Sequence, residues 1–131
     1  IEKLLPDSPS LLVQLAQKQY QSEEHAKVRG LLLDRVEDLI LKTELPADER
    51  YRLRGSVFAL REDYPKAIEN YSRAVKLRSQ DVVWRYEFAI LLQQQGLLDD
   101  AHEQAKWCAR LAPRNRKYRE LLLQIHEIRL R

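Results

Sequence analysis

Three histidines, His25, His102 and His126, and one cysteine, Cys108, are the side chains of this 131-residue chain most suited to holding a metal or attacking an electrophile. None of the histidines has a second His, Cys or acid at ligand spacing on the same expected helical face. His102-Glu103 is not followed by another His. A single cysteine excludes an internal disulfide and any multi-cysteine metal centre. A nucleophilic thiol also needs a base partner and solvent access, and nothing around Cys108 points to either. The acid pairs Glu62-Asp63 and Asp99-Asp100 open expected helices, where negative charge offsets the helix dipole; they are not read as acid/base pairs. The three glycines stand alone, so no phosphate-cradling loop is present. Trp84, Tyr86 and Phe88 alternate along an expected helix, and such positions point to different faces rather than forming a stacking stripe. No catalytic residue, cofactor or metal is expected from these patterns.

The run Arg114, Arg116, Lys117 and Arg119 is harder to set aside. Residues 106–131 hold eight Lys/Arg against two acids, while residues 1–105 hold 15 against 18. The net charge of +3 therefore reports a basic end rather than a basic protein. The run sits at the start of a helix, where the dipole opposes each positive charge by ~0.3–1 kcal/mol. It is either solvated surface charge or a patch for an acidic partner or a phosphate backbone. A dedicated nucleic-acid reader adds base-contacting groups on a recognised fold, and neither is visible. Nucleic acid is accordingly not the expected partner.

The elements that must carry these residues are helical. Apolar residues make up 44% and charged residues 33%, a soluble profile, and only 3 Gly and 5 Pro interrupt the chain. The length suffices for one domain with a real core. No apolar run approaches the ~18 residues that span a membrane, and no signal-peptide core stands near the start. The chain begins at Ile1 and contains no Met, as a segment of a longer polypeptide would.

Ala67 and Ala101 lie 34 residues apart in matching surroundings. Shifting by 34 places Gly55 on Ala89, Phe58 on Leu92, Tyr64 on Leu98, Tyr71 on Ala105, Ala74 on Cys108 and Leu77 on Leu111. A period of this length signals stacked helical hairpins. Pro46 marks a break before a helix over about 48–61, and Pro65 suits the first turn of a helix reaching about Leu77. Further helices are expected near 82–95 and 99–112, with Gly96 closing the first of these in a positive-φ conformation and Pro113 stopping the second. Asn115 can cap a last helix through Leu130. Glu23-Glu24-His25 is the expected turn of an earlier hairpin, whose second helix runs to about Leu41 with a possible break at Gly30. The small residues Gly55, Ala67, Ala74, Ala89, Ala101 and Ala105 mark close helix contacts, and by its match to Ala74, Cys108 is a small core side chain.

This combination resembles the tetratricopeptide repeat family. The pattern carrying it is the 34-residue period, the small residue at Gly55/Ala89, the aromatic or Leu at Phe58/Leu92, the alanine at Ala67/Ala101 and the closing Pro113. Ser79 stands where the earlier repeat would have that proline. The resemblance implies an all-α, right-handed superhelical array of about three hairpins. Residues 9–42 form a looser first repeat, 48–81 and 82–115 two clear repeats, and 116–131 a capping helix. It also implies a non-catalytic protein–protein interaction scaffold whose concave face, built by the first helix of each pair, takes a peptide or partner segment. Carried over residue by residue, that face comprises Val13, Gln17 and Tyr20, then Arg52 and Ser56. It continues with Val83, Tyr86, Glu87, Ile90, Gln93 and Gln94, and ends with Lys117, Glu120 and Gln124. Val83, Tyr86, Glu87 and Ile90 occupy positions where family members that hold chaperone tails carry parts of a Lys/Asn/Arg clamp, so no chaperone-tail binding is expected. The rival readings are a structural or self-associating module that positions neighbouring domains, and an acidic-partner or nucleic-acid contact through the basic end. Monomer is the favoured oligomeric state.

Overall fold

The computed structural model describes residues 8–17 and 23–131. Its described residues form helices and no strand: α1 (Pro9–Gln17), α2 (Glu23–Lys42), α3 (Ala47–Leu60), α4 (Tyr64–Leu77), α5 (Val82–Gln94), α6 (Leu98–Leu111) and α7 (Arg116–Arg129). Helix ends fall within one or two residues of the positions that Pro46, Pro65, Gly96 and Pro113 mark. The expected turn at Glu23-Glu24-His25 is instead the start of α2. That helix passes Gly30 without a break, and a Cβ added there would meet nothing within 4 Å.

The chain divides within α4 into two compact units, residues 1–67 and 68–131. In the first, α1 packs against both α2 and α3. Leu12, Val13 and Ala16 of α1 meet Leu32, Leu33, Val36, Leu39 and Ile40 of α2 and Leu53 and Val57 of α3 in one core. In the second, α6 packs against α5 and α7. Phe88, Ala89, Leu92, Ala101, Ala105, Cys108, Leu121 and Ile125 are buried there, and the Tyr71 and Phe88 rings stack at 6.1 Å. Gly55, Ala67, Ala101 and Cys108 are all buried, as their small repeat partners require.

The ends of α3 and α5 share one device. The N–H of Asp63 bonds the carbonyl of Phe58 (2.9 Å) and that of Glu62 the carbonyl of Ala59 (3.1 Å). Thirty-four residues later Leu97 bonds Leu92 (2.9 Å) and Gly96 bonds Gln93 (3.0 Å). Both are Schellman caps, which place one residue in the left-handed region. Gly96 takes it at φ 76°, and Glu62 takes it at φ 63° with a Cβ that opposes it. Gly96→Ala is therefore expected to cost about 1 kcal/mol and Glu62→Gly to gain a smaller amount. Urea melts check both, and the same sign for the two variants would contradict a shared cap.

Candidate functional site

In the first unit the expected concave residues are only partly available. Gln17 is exposed and Arg52 half-buried. Val13 is not a surface residue. It is 5% exposed and belongs to the core, because α1 is covered by α2 and α3 on two sides. Ser56 is likewise buried, at 6%, and its hydroxyl donates to the Arg52 carbonyl one turn back at 3.2 Å. A short side chain folded onto its own helix offers a ligand nothing. Tyr20 lies outside the described residues.

In the second unit α5 buries Trp84, Arg85, Phe88, Ala89, Leu91 and Leu92. At 3.6 residues per turn these cover roughly half its circumference. The remaining stripe is Val83, Tyr86, Glu87, Ile90, Gln93 and Gln94, of which Val83 and Gln94 are exposed and the others half-buried. Asp81 starts the helix by accepting the Trp84 N–H at 3.2 Å. Asn115, 34 residues on, starts α7 by accepting the Lys117 N–H at 2.9 Å. Side chains of α5 and α7 meet near these two starts. The Tyr86 ring lies 5.3 Å from that of Tyr118, and the Lys117 ammonium stands 4.3 Å above the Tyr86 ring. The Tyr71 hydroxyl donates to Glu87 at 3.4 Å. Glu120 and Gln124 are exposed on α7. The result is a strip with an aromatic and a cation at one end and amides at the other.

The basic end is partly neutralised. Arg116 bonds Glu120 at 2.7 Å, one turn along α7, and Arg129 reaches Asp99 at the start of α6 at 3.1 Å. Arg114 and Arg119 are exposed and have no carboxylate partner among the described residues.

Cys108 is fully buried, its thiol directed at the Val82 carbonyl at 3.7 Å, and burial pushes the thiol up to about 11. That is the protonated, unreactive form, opposite to what a nucleophile needs.

Three features were not read from the sequence. Arg85 is 7% exposed. It donates to the Ser79 carbonyl (2.7 Å) and to Gln104 (2.9 Å), and its guanidinium lies 4.4 Å over the Trp107 ring. Burial lowers its pKa, against a smaller opposing pull from Cys108. Arg85 thus ties down the α4–α5 loop at the position where a closing proline is missing. The second feature is Glu62, described above. The third is the approach of His102 and His126 to 6.0 Å across α6 and α7. Burial first, then Arg129, Lys106 and His126, hold His102 below the usual imidazole range. No group of three His, Cys, Asp or Glu that could hold a metal occurs among the described residues. No described helix is long and apolar enough to cross a membrane.

No family model matches the chain. It is 33% identical over 76 residues to Protein unc-45 homolog B of Homo sapiens, a stretch covering 58% of this chain and 8% of that protein. The chain thus spans under a tenth of the length of this curated relative. Among solved structures it superposes on the C-terminal TPR-containing domain of a Plasmodium falciparum protein with a TM-score of 0.58 and 17% identity, covering 98% of this chain and 99% of that one. It also superposes on the Yersinia enterocolitica type III secretion chaperone SycD in complex with a peptide of the translocator YopD. There the TM-score is 0.53 and the identity 19%, over 95% and 92% of the two chains. These likenesses establish an all-α, tetratricopeptide-like fold.

Proposed function

We propose that this tetratricopeptide-like chain is a non-catalytic scaffold that holds a peptide or an extended partner segment, with the α5 and α7 strip as its best-defined contact surface. The observation that carries the reading is the open third of α5. Val83, Tyr86, Ile90 and Gln93 run along it, with Tyr86 flanked by Tyr118 and Lys117. A half-buried tyrosine beside a cation fills a pocket or caps an acidic group, and Gln93, Gln94 and Gln124 can serve backbone N–H and C=O groups. SycD, which shares the fold, holds a peptide; the proposal carries that mode of use to this chain. Gln17 and Arg52 extend the same role to the first unit.

Peptides selected from a displayed random library on the immobilised chain test this. Tyr86→Ala with Gln93→Ala is expected to weaken the selected peptides by at least about tenfold while the helical circular dichroism stays unchanged. Loss of binding only on substitution of Glu103 or Lys106, which form an ion pair on α6 at 2.8 Å, would place the ligand on the wrong surface for this proposal.

A second reading is favoured by Arg114 and Arg119, which no carboxylate neutralises among the described residues. It takes an acidic segment at the start of α7. In the same assay its mark is a steep fall in affinity between about 50 and 200 mM salt. Reversing the charge at Arg114 and Arg119 is then expected to remove that dependence.

A further inference from the structure

A cavity of about 220 Å³ opens between α2 and α3 in the first unit. Ile40, Leu41, Val57 and Phe58 supply its apolar lining, and Glu37 and Arg54 its charged members. On α3, Arg54 stands two residues, or ~200° of helix rotation, from Arg52, so the two face different sides of that helix. An apolar cavity of ~150 Å³ suffices for a benzene ring, so this one accepts a phenyl or a branched aliphatic group. Leu41 stands at its lip with 79% of its surface exposed, a large apolar side chain left in water.

The two charges are not equivalent. Glu37 is engaged by Arg61 at 3.3 Å, and the same guanidinium holds Asp34 at 2.7 Å. Arg54 is half-buried and has neither an ion pair nor a hydrogen bond among the described residues. Lys66, paired with Asp63 at 3.6 Å, holds its ammonium 5.5 Å from the centre of the Phe58 ring. The cavity therefore combines an apolar pocket with a half-buried arginine that pairs with none of the described residues, and a guanidinium bonds carboxylates in fork geometry.

We propose that this cavity docks a short peptide segment bearing a large apolar side chain next to an acidic residue. The apolar group enters between α2 and α3, and the carboxylate meets Arg54. The pairing sets specificity: an apolar segment without an acid leaves Arg54 unpaired under the ligand, and a basic one repels it.

The test is a nuclear magnetic resonance titration of the chain with the blocked peptide acetyl-Ser-Phe-Asp-Ser-amide. Saturable shifts are expected at residues 37–41 and 54–58, with a dissociation constant on the order of 1 mM for so small a ligand. Arg54→Gln is expected to weaken binding roughly tenfold, and exchanging the peptide's Asp for Asn is expected to have the same effect. The two changes together should do no more than either alone, since they remove one interaction. Leu41→Asp, at a site with 79% of its surface exposed, should abolish the shifts while the helical circular dichroism stays unchanged. Absence of shifts up to ~10 mM peptide, additive losses in the double change, or shifts confined to residues 83–94 would each overturn the proposal.

Discussion

At pH 8 Cys108 is expected to react with an aromatic disulfide roughly a hundredfold more slowly in the native chain than in the urea-unfolded chain. The thiolate is the reacting species. With the folded thiol at about 11 rather than its ordinary 9.0, ~0.1% is ionised at this pH in the native state against ~10% when unfolded. Complete burial beneath α5 adds to the protection, since the reagent must wait for an opening. Arg85 pulls the thiol the other way, but its guanidinium is already committed to Ser79, Gln104 and Trp107, and burial wins. The shift also fixes a pH dependence. A folded-state pKa above the unfolded one gives a contribution to stability that is fully present below 9.0 and is lost as pH rises through about 11. Cys108→Ala should remove that alkaline loss. Equal reaction rates for native and unfolded chains would mean that the contact between α5 and α6 is not closed over the sulfur.

The helices were legible because their punctuation is local. Pro46, Pro65, Gly96, Pro113 and Asn115 each act through the backbone of their own turn, so the residue type alone carries the message. The buried small residues were legible because the 34-residue period states them twice. Apolar periodicity failed where a helix is covered on more than one side. α1 is covered by both α2 and α3, and on α3 buried Gly55 lies well away from buried Leu53 and Val57, so residue type alone does not mark the open face of either helix. That is why Val13 and Ser56, carried over by position, proved to be interior. Long-range pairings were invisible for a different reason. His102 meets His126, and Arg85 meets Gln104, through how neighbouring helices lie against each other, which no spacing along the chain encodes. Glu62 shows the converse. It stands 34 residues before Gly96, but an acidic residue there disguises a position that favours glycine.

Ala101→Leu is expected to destabilise the chain by about 1–3 kcal/mol, and Ala67→Leu at the equivalent position by a similar amount. Both alanines have no exposed surface. Both lie in the first turn of the second helix of a hairpin, with their N–H groups bonded to Leu97 (2.9 Å) and Asp63 (3.0 Å). α6 is packed against α5 on one side and α7 on another, so a leucine at Ala101 cannot relieve its bulk by moving α6 away from one neighbour without pressing on the other. The cost is steric rather than one of propensity, because leucine is nearly as good a helix former as alanine. Helical content should therefore survive while the denaturation midpoint falls. The alternative is that the small residue is dispensable and the hairpin simply opens by a few tenths of an ångström. In that case the two leucine variants would melt with the parent, and the 34-residue match of Ala67 with Ala101 would no longer be evidence for close helix packing.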